Sequence, residues 1–148
     1  MRHFVYKSLD ELRRAVEETG ASASRASTGI DGVSLGGRAA LLVGFAHADR
    51  FGAIESLQAA IQLSEAKELA RRAKRALSTG PYALRLVTSE HDFYKDEIAA
   101  LHRELDRSSV PNERIVLPGP HDYPFNRGPG AIEMLLFHDR VLRGERAE

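Results

Sequence analysis

The sequence predicts an α/β fold, a mostly parallel sheet of about four strands with flanking helices. Three observations carry this reading. Short apolar runs alternate with longer segments of helical periodicity, as strand–helix–strand units require. Each segment is closed by Gly, Pro or a polar cluster. A chain of 148 residues with 43% hydrophobic and 28% charged content is long enough to bury a core. No linker, repeat or low-complexity tract interrupts it, so residues 1–148 are read as a single domain.

The elements follow in order. Ser8-Leu9-Asp10-Glu11 reads as a capping box opening a helix, with Leu9, Leu12, Ala15 and Val16 on its apolar face and Gly20 at its end. Residues 26–31 are assigned to a strand, although Ser27, Thr28 and Gly29 dilute it. Residues 36–47 form a helix of small and apolar residues, apolar on most faces and therefore expected to be buried. Residues 51–57 make a second strand. Ala66, Leu69, Ala70, Ala73 and Leu77 recur at helical spacing until Gly80-Pro81 stops them. Residues 82–88 are a third strand, and Ile98, Leu101 and Leu105 mark the next helix. Residues 113–117 are a fourth strand closed by Pro118-Gly119-Pro120. Ile132, Leu135, Leu136 and Val141 give the apolar face of a last helix over residues 131–142.

Composition limits the partners. The 21 basic and 21 acidic residues cancel, which argues against a nucleic-acid or anionic-membrane surface. No apolar run is long enough to span a bilayer. The first seven residues lack the apolar stretch of a signal peptide, so a cytoplasmic location is expected. There is no cysteine, which removes disulfides and thiolate chemistry.

The chemistry centres on Gly32-Val33-Ser34-Leu35-Gly36, followed by Gly37. G-x-S-x-G between a strand and a helix is the pattern of a nucleophile elbow, a strained turn that exposes a serine hydroxyl. Glycines at Gly32 and Gly36 are expected because a Cβ would collide where strand and helix nearly touch. Ser34 would sit at a helix N-terminus, and the Leu35 N–H would serve as an oxyanion-hole donor.

In parallel sheets, ligands bind beyond the carboxyl ends of the strands. Three such ends carry reactive residue types: Ser34, then Ser89-Glu90-His91-Asp92, then His121-Asp122. Serine, acid and histidine in that chain order match a hydrolase triad. His121 is the candidate base and Asp92 the acid that orients it, with Glu90 and Asp96 as competitors. Asp96 is expected to be an N-terminal helix charge, and Asp122 to pair locally with Arg127. Tyr94, Tyr123 and Phe125 are candidate pocket residues. His3, His47, His102 and His138 are assigned no role. The pairs His91-Asp92 and His121-Asp122 could also ligate a metal. No helical His-x-x-x-His or carboxylate cluster accompanies them, so neither metal nor cofactor is expected.

The run from Gly29 to Leu41, followed by His47-Ala48-Asp49-Arg50-Phe51-Gly52-Ala53, resembles the esterase branch of the α/β-hydrolases, with enterochelin-esterase-like, feruloyl-esterase-like and mycolyltransferase-like proteins. Residues 86–92 look like that family's acid-bearing turn, and residues 118–123 like its histidine loop. The resemblance implies Ser34 as nucleophile, Asp92 as acid, His121 as base and a small-molecule ester as substrate. It also implies a departure. Several strands precede the elbow in the full fold, whereas residues before Ser34 accommodate one helix and one strand. The expected form is the C-terminal half of an α/β-hydrolase fold, lacking the N-terminal strands and the loop that supplies a second oxyanion donor. Its open sheet edge near residues 26–31 would then suit a homo-oligomer or another chain. The expected function is a serine hydrolase of carboxylic esters acting through a Ser-His-Asp triad and an acyl-enzyme; the alternatives are a non-catalytic module that associates through that edge and an acyltransferase.

Overall fold

Among the described residues, four strands form one sheet in sequence order, all parallel: β1 (Gly29–Ile30), β2 (Ala53–Leu57), β3 (Ala83–His91) and β4 (Glu113–Pro120). The structure, a computed structural model, describes residues 2–22 and 24–144, with side chains from residue 8 onward. The helices are α1 (Arg2–Glu18), α2 (Leu35–Ala46), α3 (Ala66–Ala76), α4 (Lys95–Arg107), α5 (Tyr123–Arg127) and α6 (Pro129–Leu142). This is the α/β architecture expected, with parallel strands joined by helical crossovers.

The register alternates side chains between two cores. Ile54, Leu84 and Leu86 point to a large cluster with Leu41 and Phe45 of α2, Leu69 and Ala73 of α3, and Ile98, Leu101 and Leu105 of α4. Leu57 and Val87 point the other way, to Phe125 of α5 and Met134 of α6. Each fully buried leucine or isoleucine contributes roughly 1.5–3 kcal/mol, so the first cluster dominates stability. The second face is small, and much of it is charged.

Local signals explain several boundaries. α3 ends in a 3₁₀ turn, and Gly80 at φ 124° takes the chain out before Pro81. α4 carries Asp96 and Glu97 in its first turn and Arg107 in its last, matching the helix dipole. The reading of Asp96 as a helix-terminal charge therefore holds.

Other expectations are corrected. Ser8 does not cap a helix, because α1 already runs from Arg2 and leaves Ser8 in its interior. Leu9, Leu12 and Val16 line a cleft of about 350 Å³ with Ile30 and Phe51, and Leu12 remains mostly exposed. β1 has two residues, because Arg25–Ser27 form a 3₁₀ turn. β3 and β4 are longer than expected, so Ser89-Glu90-His91 and Pro118-Gly119-Pro120 belong to strands. Proline is tolerated there because β4 is an edge strand, and an edge position need not donate to the ladder. The expected apolar face of α6 points largely to solvent: Ile132, Leu135 and Leu136 are 57%, 71% and 49% exposed, while Gly130 and Phe137 are buried. Among the described residues, no helix is long and apolar enough to cross a membrane.

Candidate active site

Ser34 sits between β1 and α2 at φ 56° and ψ −116°. For a residue with a Cβ this backbone costs about 1–3 kcal/mol, and it persists only where its surroundings over-determine it. They do so here. The Ser34 N–H donates to Leu57 O at 2.9 Å, and the Leu57 N–H donates to Gly32 O at 2.9 Å. The Ser34 carbonyl accepts from Ala60 N at 2.9 Å and Arg38 N at 3.0 Å. The parallel ladder thus continues to the turn itself, through a bridge between Val33 and Leu57.

The glycines divide the steric work differently from the sequence expectation. A Cβ on Gly32 would lie 2.3 Å from Gly36 O and 2.9 Å from Gly37 N, so no side chain fits. A Cβ on Gly36 meets nothing within 4 Å. Gly37 is the second tight position, at 3.0 Å from both Gly32 O and Leu57 O. The glycine spacing of the motif therefore misassigned Gly36, because the residue facing the strand is one step further along the helix. The Leu35 N–H, first in α2, meets no acceptor among the described residues.

Asp92 and His121 are brought together at the carboxyl ends of β3 and β4. His121 Nδ1 lies 2.7 Å from Asp92 Oδ1, and the Asp92 side chain is fully buried. The carboxylate also accepts from Thr88 Oγ1 at 2.6 Å and Tyr94 N at 3.0 Å. A carboxylate oxygen accepts, so Nδ1–H is the donor this contact calls for. Phe93 stacks on the imidazole at 4.6 Å between centroids, and Tyr94 meets it edge-on at 5.7 Å. Ser34 lies at the same end of the sheet. Among the described residues no hydrogen bond joins it to His121.

The competing carboxylates go elsewhere. Glu90 is exposed at the end of β3, and Asp96 lies in the first turn of α4. Asp122 caps α5, accepting from Phe125 N at 2.9 Å, while Arg127 pairs with the Tyr123 hydroxyl at 3.0 Å. The expected Asp122–Arg127 pair is thus replaced by a helix cap. Of the candidate pocket aromatics, Tyr94 lines a groove, Phe125 is core and Tyr123 is exposed. That groove, about 530 Å³, begins at Leu35 and includes Arg38, Gln62 and Glu65. Arg38 holds Glu65 through Nη2 at 2.6 Å. The hydrogen bond with Arg38 keeps the Glu65 carboxyl below the usual carboxylate range. Among the described residues, no group of three or more His, Cys, Asp or Glu could hold a metal ion.

Sequence reasoning missed Thr88 and Gln58. Thr88 precedes Asp92 by four residues inside an apolar strand. Gln58 is fully buried just after β2, at φ 48°, donating from Nε2 to Ser89 Oγ at 2.7 Å and Pro120 O at 3.0 Å. For Thr88 the available signal was a polar residue within an apolar strand run; for Gln58 it was a polar residue directly after a strand.

No family model and no curated protein matches the chain by sequence. Solved structures do match. A ferulic acid esterase superposes with a TM-score of 0.72 at 20% identity, over 88% of this chain and 58% of that one. Fluorophosphonate-binding serine hydrolase F of Staphylococcus aureus gives 0.75 at 17% identity, over 90% and 62%. Enterochelin esterase of Shigella flexneri gives 0.65 at 20%, over 83% and 33%. The chain spans less than two thirds of the length of each of these structures. At such identities the likeness is one of fold: the chain has the α/β-hydrolase fold of these structures, over part of its extent.

Proposed function

We propose that the chain hydrolyses carboxylic esters through a covalent acyl-enzyme on Ser34. The observation that carries this reading is the buried Asp92–His121 hydrogen bond of 2.7 Å, at the sheet end where Ser34 holds a strained turn.

Ser34 Oγ attacks the ester carbonyl carbon, and His121 Nε2 takes the hydroxyl proton as the bond forms. Asp92 holds the ring by Nδ1–H and stabilises the imidazolium without taking the proton. The Leu35 N–H donates to the carbonyl oxygen as it becomes an oxyanion. His121 then gives its proton to the leaving alcohol. Water, deprotonated by the same Nε2, attacks the acyl-enzyme, releasing the acid and restoring Ser34. An alcohol in place of water would make the reaction an acyl transfer. The groove from Leu35 to Tyr94 is the space next to the nucleophile for one arm of the ester.

The test is a fluorophosphonate probe followed by peptide mass spectrometry. Labelling of Ser34, absent in Ser34→Ala, is the expected outcome, with matching loss of p-nitrophenyl ester turnover. Folded protein that neither labels nor turns over defeats the reading. A second reading, a non-catalytic module pairing through the β1 edge, draws on the exposed Leu135 and Leu136 and the two-residue edge strand. Light scattering showing an obligate dimer without probe labelling would select it.

A further inference from the structure

His121 follows β4, and Ser34 precedes α2, with β2 and β3 lying between their strands. The relative placement of the two residues therefore depends on how β2 and β3 hold the ends of the sheet together. The ladder is poorest where it is most needed: β3 and β4 shift register between Ser89 and His91, just before the histidine loop. Gln58 bridges this gap. Its backbone N–H donates to Val87 O at 2.7 Å, and its neighbour Leu57 exchanges hydrogen bonds with Gly32 and Ser34. Its side-chain Nε2 crosses β3 to Ser89 Oγ and reaches the carbonyl of Pro120, the residue before His121, at 3.0 Å.

The cost of this arrangement is visible. Gln58 adopts a left-handed backbone, is fully buried, and leaves Oε1 without a hydrogen-bond partner. An unsatisfied buried acceptor and a non-glycine positive φ are both unfavourable. An apolar residue at the strand end would avoid the unsatisfied acceptor but not the positive φ, and it would leave the Pro120 carbonyl without this donor. Since the Asp92–His121 bond fixes the far side of the ring, the Gln58–Pro120 bond fixes the backbone that carries it.

We propose that Gln58 is a positioning residue that ties the histidine loop to the serine turn. The inference rests on the triad reading for its consequence, but the tether itself is a structural statement. A displacement of reacting groups by about 1 Å can cost on the order of 100-fold in rate. Gln58→Leu and Gln58→Met keep the volume and remove both donors. Each is expected to lower kcat for a p-nitrophenyl ester and the rate of Ser34 labelling by about 10- to 100-fold, with KM little changed. The proton on His121 Nδ1 should give a downfield NMR signal in the parent protein, and this signal is expected to broaden or vanish in the variants. A folded variant that keeps this signal and the parent kcat overturns the proposal. The parent protein offers a check that needs no variant: the Gln58 side-chain amide protons must be inequivalent and slow to exchange, and fast exchange overturns the tether. If the parent protein fails to label at Ser34, the triad reading falls, while the amide exchange and the His121 signal still decide the tether.

Discussion

Asp92 and Glu55 are both buried carboxylates beside a histidine, and their surroundings treat them in opposite ways. Asp92 accepts from three donors, Thr88 Oγ1, Tyr94 N and His121 Nδ1, so both oxygens are used. Glu55, on the sheet face under α6, meets Arg85 Nε at 2.9 Å and Nη2 at 2.8 Å through Oε1, while Oε2 has no hydrogen-bond partner. Its histidine, His138, lies with Nε2 3.9 Å from Glu55 and 3.0 Å from Asp31, at ion-pair distance but without hydrogen-bond geometry to either. Arg85 is fully buried over the ring of Phe137 and reaches Glu133 on α6. Burial raises the Glu55 carboxyl to about 7, opposed by Arg85 and His138 and reinforced by Asp31. One network is closed and orients a ring. The other is partly open, so it costs stability and responds to pH.

Three experiments probe that contrast. The largest effect is expected at the closed network. Asp92→Asn keeps the shape but no longer favours Nδ1–H, and should lower ester turnover and Ser34 labelling by about 10³- to 10⁴-fold. Its melting temperature should stay near that of the parent protein. A loss under tenfold would mean that the closed network is not the working one.

Next comes the open network. Arg85→Met strands Glu55 in the core and should cost about 3–5 kcal/mol in urea denaturation, whereas Arg85→Met combined with Glu55→Leu should recover most of it. Equal losses in the single and double variants would show that the pair contributes no coupled term.

The smallest effect is the pH response. The folded Glu55 carboxyl, at about 7, holds a proton that the unfolded chain releases near the ordinary carboxyl value of 4.5. The folded state therefore binds more protons between these values, and this contribution to stability falls as pH rises through that window. It is fully present below about 4.5 and lost above about 7. The difference in unfolding free energy between the parent protein and Glu55→Gln should trace that slope. A flat difference across the window would place Glu55 in an ordinary carboxylate environment.

Much of the fold was legible because parallel β–α units repeat a simple pattern. Ile54, Leu84 and Leu86, and the Leu69–Ala73 and Leu101–Leu105 spacings, face the core as the periodicity implies. The α6 face failed because it was read from the helix alone. Ile132, Leu135 and Leu136 share a stripe, but Phe137 and Gly130 are the residues that the sheet covers. The capping box at Ser8 failed for a related reason, since a local signal cannot report that the helix began earlier.

At the candidate site, residue types and chain order singled out Ser34, Asp92 and His121, because Gly-rich turns and polar residues after strands are local features. Those same features did not identify which glycine must lack a Cβ, nor that Asp122 caps a helix rather than pairs with Arg127. By itself the sequence determined the strand–helix alternation, the serine turn and the order of its reactive residues. Only the tertiary structure decided that Asp92, not Glu90 or Asp96, meets His121, and that Gln58 reaches the Pro120 carbonyl. The physical reason is that hydrogen bonds act over about 3 Å. Partners 29 and 62 residues apart along the chain come within that distance only once the register of the sheet is set.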